Sequence, residues 1–108
     1  MSELPPKSVN HVPIRLTRER WSYIATRHPE LANHRSRLLE TISNPDFVAE
    51  GPHGELRTAK LYGDFPTGPR YLTVMCREIA PNDGFIFTAR MSSDVGNTTR
   101  TGIVWQRK

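Results

Sequence analysis

The sequence is short of cysteine, of long apolar runs and of paired metal ligands, and each shortage removes a class of function. One cysteine, Cys76, among 108 residues cannot close an internal disulfide, which argues against a stapled secreted scaffold. No apolar run approaches the roughly 20 residues that a membrane helix requires. Pro5 and Pro6 stand where a signal peptide would carry its apolar stretch. These features together predict a cytoplasmic protein with no membrane partner. His11, His28, His34, His53 and Cys76 show no CxxC or HxxxH pairing, so neither a metal nor a cofactor is expected. The GxxxxGK phosphate loop is missing as well.

What the sequence does contain is cationic charge in one half. The net charge is +4, from 15 Lys and Arg against 11 Asp and Glu. Residues 1–55 are balanced, with seven of each sign, whereas residues 56–108 carry eight cations and four acids. Twelve of the cations are Arg, whose planar fork grips a phosphate with two hydrogen bonds. A local cationic field of this kind favours a polyanionic partner.

The pattern of the chain predicts one α+β domain: two N-terminal helices packed on one face of a curved antiparallel sheet, a meander. Residues 1–13, rich in proline, read as a flexible arm, and residues 14–108 as the single folded domain. Ile14 to Leu16 suits a short edge strand. Thr17 reads as an N-cap with Glu19 in the first turn. Trp21, Ile24, Ala25 and His28 follow at the spacing of one helix face. Pro29 suits the first turn of a second helix carrying Leu31, Arg35, Leu38 and Ile42, which Asn44-Pro45 stops. Strands are expected over 46–50, 56–62, 70–79, 85–91 and 103–105, with a polar loop over 94–102.

Strand parity sorts residues between two surfaces. One surface collects Ala59, Leu61, Leu72, Val74, Cys76, Phe85, Phe87, Ala89 and Met91, which predicts the face under the helices. The other collects Thr58, Lys60, Tyr62, Tyr71, Thr73, Arg77, Thr88 and Arg90, with Met75 and Ile86 as its apolar members. Cations beside aromatic platforms suit RNA, whose phosphates need charge and whose bases stack on rings. A sheet solvated on one side carries a polar outer face in any case.

Metal-free cleavage of RNA requires a base for the 2′-hydroxyl, an acid for the leaving 5′-oxygen and cations for the charge building on phosphorus. His28 is a candidate for the proton work; its other reading is a cap packed under the helix joint. Lys60 and Arg90 are the candidates for charge stabilisation. Tyr62, Arg70, Tyr71, Arg77 and Thr88 are the candidates for substrate binding. Cys76 falls on the core face, where a thiol is inert packing.

Leu16-Thr17-x-Glu19-Arg20-Trp21-x-x-Ile24, Arg27-His28-Pro29-Glu30-Leu31 and Glu40-Thr41-Ile42-x-x-Pro45-Asp46 resemble phage-associated small nuclease-like domains. These are grouped with the barnase, EndoU, colicin and RelE-like ribonucleases (the BECR fold). Tyr71-Leu72-Thr73-Val74 and Phe85-Ile86-Phe87-Thr88-Ala89 resemble that family's central strands, and Ile103-Val104-Trp105 its usual end. The resemblance spans residues 14–107. It implies a RelE/colicin-like architecture and a metal-independent endoribonuclease, a toxin-like or phage and mobile-element effector acting on tRNA or mRNA, with an antitoxin or immunity protein as partner. Similar sequences often place an aromatic after Thr-Ala where this chain has Arg90. The alternatives are a nucleic-acid-binding module without catalysis and a phage-derived protein-interaction domain.

Overall fold

A computed structural model describes residues 4–96, 99 and 102–108. The elements are β1 (Ile14–Arg15), α1 (Arg18–Arg27), a 3-10 turn (Pro29–Leu31), α2 (Arg35–Ser43), β2 (Phe47–Glu50), β3 (Leu56–Tyr62), β4 (Arg70–Ala80), β5 (Asp83–Ser92) and β6 (Ile103–Gln106). The fold is therefore α+β, with two α-helices and one six-stranded sheet ordered β1-β5-β4-β3-β2-β6.

The helices start and stop where local chemistry dictates. Thr17 Oγ1 accepts from the Arg20 amide at 3.1 Å, capping α1. At the other end the His28 amide returns to the Ile24 carbonyl. Pro29 does not open a second α-helix. It opens one 3-10 turn, in which the Leu31, Ala32 and His34 amides each donate three residues back, and α2 begins only at Arg35. Asn44 then caps α2 ahead of Pro45.

β2 to β5 form the expected antiparallel meander. The sheet as a whole is mixed, because β1 lies parallel to β5 at one edge. Its other edge is β6, paired with β2 rather than with its chain neighbour β5. β5 and β6 run parallel with β4, β3 and β2 between them, so the two strands are joined by a crossover and do not form a hairpin. Of the polar loop expected over 94–102, Asn97, Thr98, Arg100 and Thr101 lie outside the described residues, as do Met1 to Glu3 of the arm.

The core lies between the helices and one sheet face. Ile24, Leu31, Leu38 and Ile42 meet Leu72, Val74, Cys76, Ile86 and Ala89, with Val12 and Ile14 closing one end. Gly84 is required there: a Cβ would stand 2.6 Å from Ile14 Cδ1 and 2.8 Å from the Arg77 carbonyl oxygen. Burial pushes the Cys76 thiol up to about 12, consistent with an inert packing role.

Two parts of the expected parity are corrected. In β3 the registers Leu56↔Cys76, Thr58↔Val74 and Lys60↔Leu72 turn Leu56, Thr58, Lys60 and Tyr62 toward the helices. Ala59, Leu61 and Arg57 are on the open face. Both alternating sets of β3 contain apolar and polar residues, and the helix side is chosen because α2 offers partners there. Tyr62 Oη donates to Glu40 Oε1 at 2.5 Å, and Lys60 Nζ donates to the Asn44 carbonyl at the negative end of α2 at 3.0 Å. In β5 a bulge interrupts the count: Met75 pairs with Thr88, but Cys76 pairs with Ile86. Phe87 is the extra residue. Ile86 therefore joins the core, and Phe85, opposite Arg77, faces away from it.

Candidate functional site

The open face is built in rows by strand register. Arg57, Met75 and Thr88 form one row. Phe47, Ala59, Thr73 and Arg90 form the next. Leu61, Tyr71 and Ser92 form a third. The centre of the face is covered by its neighbours, with Ala49, Ala59 and Thr73 all at 0% exposure. Arg57 and Arg90 flank that centre diagonally, and the Nε atoms of both, with Thr73 Oγ1, are buried. Thr73 Oγ1 has no hydrogen-bond partner among the described residues. The rings of Phe47 and Tyr71 stand 6.2 Å apart beside it.

The β2–β3 turn closes one end of this face. His53 belongs to that turn, and its carbonyl accepts from Arg77 Nη1 at 3.0 Å. Its amide donates to Glu55 Oε1 at 2.9 Å. Burial works to raise Glu55, but the backbone donors around it and Arg57 outweigh burial and hold it below the usual carboxylate range. Arg57 Nη2 lies 3.9 Å from Glu55 Oε2. At the β5 edge Arg15 pairs with Asp83 at 3.0 Å and lies over the Phe85 ring.

The expected site residues divide between the two sides of the sheet. Tyr71, Arg77, Thr88 and Arg90 share the open face. Lys60, Tyr62 and Arg70 do not join them, because their register places them on the side of Leu72 and the helices. Tyr62 is a helix anchor: burial and its bond to Glu40 push its hydroxyl well above the usual range. Arg37 stacks on Tyr62 and Phe65 and pairs with Asp64 Oδ2 at 2.5 Å. Arg70 donates to the carbonyl of Pro69. His28 caps α1, its Nδ1 3.3 Å from Glu30 Oε1, on the helix side of the molecule. The structure thus does not bring His28, Lys60 and Arg90 together.

Arg57 and His53 were missed by the sequence reading. The signal for Arg57 was its two-residue spacing from Ala59, usable only once β3 was placed in register. His53 carried a weaker signal, as the one histidine in a strand-to-strand turn. No group of three or more His, Cys, Asp or Glu among the described residues is arranged to hold a metal ion. Among the described residues no helix is long and apolar enough to cross a membrane.

Neither a protein-family model, nor a characterised protein, nor a solved structure matches the chain.

Proposed function

We propose that the chain is a metal-independent endoribonuclease acting from the open face of its sheet. The observation that carries this reading is that strand register sets Arg57 and Arg90 around Thr73 on that face, with the Nε atoms of both arginines buried. Two guanidinium groups supply the charge stabilisation that a phosphorane requires, and they do so where water is partly excluded. Thr88 offers a hydroxyl to a non-bridging oxygen, while Tyr71 beside Phe47 offers a ring to a base. The proton transfer first considered for His28 falls to His53, whose turn borders the face.

The resemblance of residues 14–107 to phage-associated nuclease-like domains supports the same reading. With it come a RelE/colicin-like architecture, tRNA or mRNA as substrate, and an antitoxin or immunity protein as partner. In the reaction the 2′-oxygen attacks its own phosphorus as its proton leaves, the bond to the 5′-oxygen breaks, and that oxygen takes up a proton. The products are a 2′,3′-cyclic phosphate and a free 5′-hydroxyl.

The test is incubation of purified protein with total RNA in EDTA, followed by analysis of the new ends. Cyclic phosphate ends are expected from wild type and His28→Ala, and at least tenfold less cutting from His53→Ala. No cleavage by wild type overturns the enzymatic reading and leaves a binding module, while equal loss in both histidine variants removes His53 from its role.

A further inference from the structure

A second basic site lies on the other side of the sheet, where the N-terminal turn, the end of α2 and β6 enclose a cleft of about 620 Å3. Its lining includes Lys7, His11, Asn44, Trp105 and Arg107, and no acidic side chain among the described residues. Trp105 pairs with Val48, which places the indole on the helix side of edge strand β6. Trp105 is half-buried and lines the cleft. Here the described part of the arm is a built turn. Lys7 bridges to Pro13, Ser8 Oγ and Asn10 Nδ2 donate to the Glu78 carboxylate, and the Ile14 amide returns to the Pro6 carbonyl.

Two details separate this cleft from a chance gathering of cations. Arg107 is fixed: it donates to the Asn44 side chain and to the Asn44 and Pro45 carbonyls, and its Nε lies 3.4 Å from Asp46 Oδ1. His11 sits at φ +64°, the only described non-glycine residue with positive φ. That conformation disfavours a side chain with a Cβ and is cheaper for Gly or Asn. The turn holds the exposed His11 beside the cleft that it lines.

We infer that this cleft is a subsite for single-stranded nucleic acid, with one base stacked on Trp105 and the adjoining phosphate held by Lys7, His11 and Arg107. An aromatic platform beside cations is the chemistry that holds an unpaired nucleotide. The inference shares with the proposed function only the choice of a polynucleotide ligand; it needs no cleavage, and its residues are on the opposite side of the sheet from Arg57 and Arg90.

The test is anisotropy of a fluorescent, fully 2′-O-methylated single-stranded oligonucleotide, which binds but lacks the attacking hydroxyl. Trp105→Ala is expected to weaken binding roughly tenfold or more, and Trp105→Phe much less. Lys7→Ala is expected to flatten the slope of log affinity against log salt by about 0.7. His11→Gly, which removes the ring while easing the backbone, is expected to bind more weakly yet melt no lower than wild type. Unchanged affinity and salt slope in Lys7→Ala and His11→Gly overturns the subsite, whatever Arg57 and Arg90 do. Weakened binding in these variants, with no RNA cleavage by wild type, upholds the subsite and removes the nuclease reading alone. Binding of a free mononucleotide as tightly as the oligonucleotide overturns the assignment to a strand.

Discussion

The two faces of the sheet are made from the same strands, yet they spend their side chains differently. On the helix face two polar groups of β3 are fastenings, Lys60 holding the Asn44 carbonyl and Tyr62 holding Glu40, while Thr58 is buried opposite Val74. On the open face Thr73 is buried without a partner among the described residues, and arginines surround it. The single Lys60 ammonium is occupied by a helix end, whereas Arg57 and Arg90 stand around a buried hydroxyl, the setting proposed for an anion. The difference teaches that charge on a strand does not announce its task until the register is known.

The comparison breaks most visibly through the core. Leu72→Ala, under the helices, should cost about 2–5 kcal/mol of stability, read as a lowered midpoint in urea. RNA affinity per folded molecule should be unchanged. Gly84→Ala should follow at about 1–3 kcal/mol, because its Cβ meets Ile14 and the Arg77 carbonyl. A Gly84→Ala protein as stable as wild type would mean that β1 does not close the edge of β5 as described.

A third effect separates the faces by pH. Tyr62 and Cys76, both on the helix side, titrate above their ordinary values when folded. Groups raised in this way contribute stability that is complete below the unfolded values of about 9 to 10 and is lost as the pH rises through the folded ones. Wild type should therefore lose urea resistance above about pH 9. A Tyr62→Phe, Cys76→Ala protein should show a shallower decline, though from a lower starting point. The smallest effect belongs to Asp64→Asn. Its carboxylate is held low by the Arg37 hydrogen bond, but the pair is exposed, so a melting curve near neutral pH should move little.

The outline of the fold was legible in the sequence because period and punctuation agreed. Thr17, Asn44-Pro45 and the turn at Pro81 to Gly84 each mark a boundary within a residue or two of where it falls. β3 matches its expected span of 56–62 in full. What escaped is what depends on pairing. The side of β3 could not be read from Leu-Arg-Thr-Ala-Lys-Leu-Tyr, since both parities contain an apolar residue and a cation-bearing one. The bulge at Phe87 leaves no mark in local sequence and reverses the assignment of Phe85 and Ile86. β6 was read as a closing strand, but its place beside β2 follows from a crossover that periodicity does not encode. The candidate site inherited these errors: Arg90, Arg77, Tyr71 and Thr88 survive on the open face, Lys60 and Tyr62 move to the helix face, and Arg57 enters.

The most direct measurement compares the two faces in one assay, RNA cleavage in EDTA at matched fractions of folded protein. An Arg57→Gln, Arg90→Gln protein should cut at least 100-fold more slowly than wild type, as expected when donors to a developing phosphorane charge are removed. A Lys60→Ala, Tyr62→Phe protein should cut within a few-fold of wild type once its lower stability is allowed for. The reverse order, with cleavage lost on the helix side and kept after both arginines are gone, would contradict the assignment of function to the open face.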